Sequence, residues 1–261
     1  MGRLTVASLN TRGLPLLGSE LRARYAAIGA EFEASTVDVA NLQEVHTYYH
    51  LRRLRRSMPS YRFASFRRSV AGPAGGLLTL SRHPVSSTTY RRFPATTVDT
   101  AGLPRRTRLT TSLKGALLTR LTGVTVINTH LSANRDGDWS ATNRHYALHQ
   151  AQLTALMQYV TTAAQPAVVS GDFNIARNSR LYSDFIQQSG LTDAFGDTCP
   201  PTFHQAYLNP DQSPHCIDFL LLASPTITVD SATLTFTDQV ALPNGPAYAT
   251  DHLGLEVHLT L

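Results

Sequence analysis

An α/β (α+β) protein built on two packed β-sheets with helices outside is the fold class that the sequence predicts. Three observations predict it. Short apolar runs recur along the whole chain and stop at glycine or polar residues. A few segments with apolar residues at helical spacing are spread between them. No internal repeat and no linker divides the 261 residues, so one domain spanning 1–261 is expected.

Taken in order, Leu4 to Leu9 reads as a strand ending at Asn10, with a loop through Thr11-Arg12-Gly13-Leu14-Pro15. Ser19 is placed to cap a helix whose buried face is Leu21, Tyr25, Ile28 and Phe32. Val37 to Leu42 is a second strand, ending at Gln43-Glu44, and His46 to Arg56 reads as a basic helix stopped before Pro59. Tyr61 to Phe66 and Gly76 to Leu80 form strands around the Gly72-Pro73-Ala74-Gly75 turn, and Ser87 to Phe93 forms another. Pro94 to Arg108 is a polar, Thr/Arg-rich connection. Lys114 to Leu121 and Val124 to Asn128 flank a Thr122-Gly123 turn as a hairpin that ends at Thr129-His130. After the Asn134 to Trp139 loop, Leu153, Leu156, Met157 and Val160 face one side of a long helix. Val168 to Asn174 follows as a strand and its end, then a short helix over Ser183 to Ser189 and a Pro-rich loop. Ile217 to Leu222, Ile227 to Thr235 and Leu253 to Leu261 close the chain as strands, with Thr250-Asp251-His252 before the last.

With 42% hydrophobic and 16% charged residues the chain can bury a large core, and no apolar stretch is long enough to span a bilayer. The first residues run straight into a strand pattern without a signal peptide, so a soluble, cytoplasmic, monomeric protein is expected, or a secreted one had a leader been removed. The net charge of +5 is concentrated in arginines of the first half, Arg108 among them. Such a surface suits phosphates of nucleic acid or lipid headgroups, or is merely a solvated face. Cys199 and Cys216 spell no metal motif, and two free thiols are expected, although they flank one loop that a disulfide would close.

Chemistry-bearing residues sit where apolar strands end: Asn10, Glu44, His130, Asp172 with Asn174, and Asp251 with His252. Each alone has a bland reading, and Gly171-Asp172-Phe173-Asn174 by itself is good turn chemistry. Asp218 differs, because a carboxylate in an otherwise apolar run is costly to bury and wants a histidine or N–H partner. Together they are the inventory of a metal-assisted phosphoesterase: oxygen ligands for a hard cation, a carboxylate and histidines for protons, and an amide for the oxyanion.

Six blocks resemble those of the endonuclease/exonuclease/phosphatase (DNase I-like) superfamily. They are Ser8-Leu9-Asn10, Leu42-Gln43-Glu44-Val45, Asn128-Thr129-His130-Leu131, Ser170-Gly171-Asp172-Phe173-Asn174, Ile217-Asp218-Phe219 and Thr250-Asp251-His252, in the family's order. The resemblance implies a four-layer α/β sandwich, two packed mixed β-sheets flanked by helices, with the site at one edge. It implies Glu44 as ligand of Mg²⁺ (Mn²⁺ substituting), with Asn10 and Asp251 in or near the shell. Asp172 would orient or deprotonate water and Asn174 hold a phosphoryl oxygen. His252, oriented by Asp218, and His130 would handle protons.

Secondary blocks are similar to the neutral sphingomyelinase branch: Asn10-Thr11-Arg12-Gly13-Leu14-Pro15, Gly76 to Pro84, and Lys114-Gly115, where the lysine would lie near the phosphate together with Arg108. His215-Cys216 departs from that branch, since no basic residue directly precedes Ile217-Asp218. The sequence also shows no long hydrophobic segment and no obvious exposed aromatic hairpin for membrane docking. The expected function is therefore a sphingomyelinase-like phospholipid phosphodiesterase for which peripheral membrane contact stays open, with a DNA nuclease as the alternative. A non-catalytic binding module on this fold is disfavoured because every expected catalytic position is filled.

Overall fold

The computed structural model describes residues 2–13, 20–94 and 100–261, and it builds the apolar runs into two six-stranded mixed sheets. The first half of the chain contains β1 (Arg3–Asn10), α1 (Leu21–Ala34), β2 (Val39–Gln43), α2 (Tyr48–Ser57), β3 (Phe63–Ser65), β4 (Leu78–Ser81), β5 (Val85–Arg92) and α3 (Arg105–Thr111). The second half contains β6 (Gly115–Leu121), β7 (Thr125–His130), α4 (Tyr146–Thr161), β8 (Ala167–Asp172), α5 (Arg180–Ser189), β9 (Thr192–Asp193) and β10 (Asp218–Leu222). It closes with β11 (Thr228–Thr235), β12 (Gln239–Leu242), β13 (Gly245–Tyr248) and β14 (Gly254–Thr260). One sheet runs β11-β14-β1-β2-β4-β3 and the other β5-β6-β7-β8-β10-β9, while β12 and β13 form a separate hairpin. At the centre of each sheet lies one parallel pair, β1 with β2 and β7 with β8.

Alternation along these strands sets the layers. On one face, Ala7, Leu9, Ala40 and Leu42 pack under Tyr25, Ile28 and Phe32 of α1 and Leu51 and Leu54 of α2. In the second sheet, Ile127, Val169, Phe219 and Leu221 pack under Leu153 and Leu156 of α4 and Phe185 of α5. The opposite faces of the two sheets meet: Leu4, Val6 and Val39 pack against Val126, Val168, Leu220 and Leu222. The order is helix, sheet, sheet, helix. Each fully buried Val, Leu or Phe contributes about 1.5–3 kcal/mol. The helices carry local signals too. Thr47 caps α2 by accepting from His50 N, and Ser179 caps α5, which ends at Gly190 in the left-handed region.

Following the inter-sheet face along the strands, apolar residues give way to polar ones. Val6 is followed by Ser8, Val39 by Asn41 and Gln43, Val126 by Asn128 and Val168 by Ser170. These side chains bond across the gap. Asn41 Nδ2 donates to Ser170 Oγ at 2.9 Å, and Gln43 Nε2 donates to Asn128 Oδ1 at 2.8 Å. Asn128 Nδ2 in turn donates to the Leu42 and Leu78 carbonyls at 3.1 and 3.0 Å. Pairing of nearly all its donors is what makes such a buried polar layer tolerable, with the Gln43 amide oxygen left without a partner.

The structure departs from the sequence reading at three places. Arg105–Thr111 is helical, not part of a loop, and the rest of that connection at 95–99 lies outside the described residues, as does Ser19. The β12–β13 hairpin was not expected, its partly exposed strands lacking a strong apolar run. Asp218 begins its strand instead of interrupting it. Cys199 and Cys216 are free thiols, as expected, with their sulfurs 2.8 Å apart. No described helix is long and apolar enough to cross a membrane.

Candidate active site

One step beyond the polar layer, the same strand faces present Asn10, His130, Asp172 and Asp218. Asp172 pairs in register with His130 on one side and Asp218 on the other, so alternation points all three the same way. Gly171 makes this close approach feasible: it sits at φ 151°, and a Cβ there would lie 1.9 Å from the Thr129 carbonyl oxygen. Beyond the strand, Phe173 returns to the outer core while Asn174 turns back with φ 53°.

Asp172 is the hub. Its Oδ2 accepts from Asn10 Nδ2 at 2.9 Å and lies 3.4 Å from His130 Nε2 and 3.8 Å from His252 Nε2. Its Oδ1 accepts from the Asn174 backbone N–H at 2.9 Å. The Asn174 carboxamide gives one hydrogen to the Leu131 carbonyl at 3.3 Å and keeps the other. His252 Nδ1 is 2.9 Å from Asp218 Oδ2, the partner that the buried carboxylate required. Asp218 is held in turn by Thr202, whose hydroxyl donates to Oδ2 at 2.6 Å and accepts from the Ile217 and Asp218 N–H groups. Phe203 packs edge-on against the His252 ring, 4.9 Å between centroids. Sequence reasoning missed Thr202 and Phe203; their only signal is a Pro-rich loop ending just before Asp218.

Charge is unevenly distributed over this cluster. Burial raises Asp172 above the ordinary carboxylate range, and the neighbouring Asp218 charge adds to it. Burial alone would lower His252, but Asp218 and Asp172 outweigh it and hold the imidazole well above its usual value. His130 is driven the other way, by burial and then by Lys114, and its Nδ1 has no partner. The surroundings thus push the two imidazoles apart, favouring the cation at His252 and the neutral ring at His130.

Glu44 leaves β2 with φ 61°, and Arg12 leaves β1 with φ 50°, so the loops at this edge are strained as well as polar. Glu44 lines a cleft of about 630 Å³ with His46, Lys114 and His130 on its floor, and Arg92, Arg106, Arg135 and Arg144 on its walls. Burial raises the Glu44 carboxyl, with Lys114 pulling it back, while burial lowers Lys114 against the pull of Glu44 and Asp172. Asp251, near enough to Glu44 for its charge to push that carboxyl up, is in an ion pair with Arg12 at 3.2 Å. Arg108 is exposed and does not line the cleft, where Arg106 stands in its place.

Two groups of donors could hold a cation. Asp172, Asp218 and His252 bring ligand atoms within 4.8 Å of one another. However, Asp218 Oδ2 and His252 Nδ1 already satisfy each other. Glu44 faces the cleft with no ion-pair partner among the described residues, and Asn10, whose side chain hydrogen-bonds to it, and Asp251, whose charge bears on it, could offer further oxygens. That all-oxygen set fits a hard divalent ion.

The endonuclease/exonuclease/phosphatase family model matches residues 7–252. No match was found among curated protein sequences. Among solved structures, SmcL superimposes with a TM-score of 0.77 at 17% identity, covering 100% of this chain and 99% of its own. TDP2 from D. rerio, crystallised with a single-strand DNA product, gives 0.72 at 19% identity over 100% of both chains. Beta toxin from Staphylococcus aureus gives 0.73 at 16% identity, covering 97% of this chain and 99% of its own. At these identities the likeness is one of fold.

Proposed function

Because the chain belongs to the endonuclease/exonuclease/phosphatase family of metal-dependent phosphoester hydrolases, we propose that its strand-end cluster hydrolyses a phosphodiester by metal-assisted attack of water. The observation that carries this reading is the hub at Asp172, fixed through both oxygens and bordered by one cationic and one neutral histidine.

In this reading Asp172, ionised, orients the attacking water and accepts its proton. Asn10 and the Asn174 N–H hold that carboxylate in one orientation. His252, kept protonated by Asp218, donates from Nε2 to a phosphoryl oxygen as negative charge grows there, and the free amide hydrogen of Asn174 assists. His130, neutral, is suited to relay a proton. Lys114 adds positive charge at the cleft floor. Glu44, with Asn10 and Asp251 nearby, would hold Mg²⁺ or Mn²⁺, which when bound supplies Lewis acidity and neutralises charge on the leaving oxygen.

For the substrate we favour a phospholipid phosphodiester, as in the sphingomyelinase branch. Support comes from the Asn10 to Pro15, Gly76 to Pro84 and Lys114-Gly115 blocks and from the position of Lys114 beside Glu44 and His130 in one cleft. The arginine-lined walls of that cleft support the second reading, a DNA nuclease. Turnover of bis-p-nitrophenyl phosphate with Mg²⁺ or Mn²⁺, abolished by EDTA, is the expected result; turnover that survives chelation, or none under any metal, would refute the reaction class. Phosphocholine release from sphingomyelin, compared with nicking of supercoiled plasmid in the same buffer, separates the substrates.

A further inference from the structure

Five large hydrophobic side chains are exposed among the described residues, and three of them stand at the cleft mouth. Val70 is fully in water (103% relative exposure) at the tip of the turn closed by the Arg68–Pro73 bridge, between the cleft-lining Ser69 and Ala71. Across the opening, Leu109 and Leu113 are 65% and 51% exposed, on α3 and just after it. The α3 rim is tied to β5 where the Tyr90 hydroxyl donates to the Leu113 carbonyl at 2.6 Å, close to Gly75. Apolar groups concentrated at one place in water signal a surface that gains by being covered.

The same rims are cationic. Arg67 and Arg68 precede Val70, and Arg105, Arg106 and Arg108 surround Leu109. All five are exposed, and none makes an ion pair among the described residues. Arg144, also on the cleft wall, is by contrast committed to Asp136 through hydrogen bonds of 2.8 and 2.6 Å. A nucleic acid backbone would satisfy the free guanidiniums and leave Val70, Leu109 and Leu113 in water. An anionic phospholipid surface satisfies both, taking arginines at its phosphates and the apolar tips at the acyl boundary.

We propose that the 67–73 turn and the α3 rim dock the protein onto anionic phospholipid bilayers, with the cleft mouth against the headgroups. This deepens the phospholipid reading and rests on it for what the docked enzyme cuts. Docking would bring headgroup phosphodiesters to Glu44 and His130 without extracting a lipid from the bilayer. It also gives Arg108 a place outside the cleft.

The test is co-sedimentation with phosphatidylcholine vesicles, with and without phosphatidylglycerol, for the wild type, a Val70→Glu/Leu109→Glu variant and an Arg105→Glu/Arg108→Glu variant. Thermal melts would show that these exposed substitutions leave the fold intact. Binding should require phosphatidylglycerol, weaken with salt, and fall about tenfold or more in both variants. Turnover of the soluble bis-p-nitrophenyl ester should stay unchanged in both. Vesicle binding by the Val70→Glu/Leu109→Glu variant equal to wild type, or binding to single-stranded oligonucleotide with none to vesicles, would overturn the proposal. Rim-dependent vesicle binding without hydrolysis of any phosphodiester would uphold the surface and remove only the function read above.

Discussion

Replacing Asp218 by asparagine deletes one buried negative charge and keeps the shape of the side chain. The amide oxygen can still accept from Thr202, so the loop stays anchored. His252 loses the carboxylate 2.9 Å from its Nδ1. A hydrogen bond to a charged group is worth about 1.5–3 kcal/mol. At about 1.36 kcal/mol per pKa unit, His252 should release its proton roughly one to two units lower. Asp172 loses the like charge that, after burial, raises it, so it too should ionise at lower pH. If hydrolysis needs Asp172 ionised and His252 cationic, the acid limb of the pH–rate profile falls with Asp172 and the alkaline limb with His252. Both limbs of Asp218→Asn should therefore move toward acid, and the plateau should drop by about 10²-fold or more. Initial rates on bis-p-nitrophenyl phosphate at saturating Mg²⁺ across the pH range, for both proteins, measure this. An alkaline limb that stays in place, or a plateau within about twofold of wild type, would refute the assignment of His252 as the cation.

Two further substitutions test the supporting layers. Glu44→Gln should raise the Mg²⁺ concentration for half-maximal activity by about tenfold or more, with no loss of thermal stability because a carboxylate that resists burial has been removed; titration calorimetry with Mg²⁺ gives the same answer without turnover. Asn128→Leu strips Gln43 of the nearest of its three acceptors and two backbone carbonyls of a side-chain donor; urea unfolding should show a loss of about 3 kcal/mol or more, and a loss below about 1 kcal/mol would mean that the polar layer is not structural.

Much of the architecture could be read from the sequence because strands announce both their faces and their ends. Val168-Val169-Ser170-Gly171-Asp172 alternates outward and inward until the inward position becomes a carboxylate, and β7 and β10 do the same at His130 and Asp218. The loop partners carry no such period. Thr202 meets Asp218 across 16 residues of Pro-rich chain, and only the fold reveals that contact. The helix at Arg105–Thr111 is hidden by its shortness and by the absence of a side-chain cap. On so short a helix, nothing in the sequence says which arginine turns inward, and the structure gives the cleft Arg106 where Arg108 was expected.

The left-handed backbone at Glu44 and Arg12 has a consequence for how this protein could be improved or could drift. A glycine would relax either position, and each such strain is worth about 1 kcal/mol or more. The substitutions that most readily add heat resistance at this edge are thus ones that discard Glu44, the proposed cation ligand, or the partner of Asp251. A library selected for thermal survival alone should fill with such variants, stable and inert, while one selected for turnover should keep the strained residues at the expense of melting temperature.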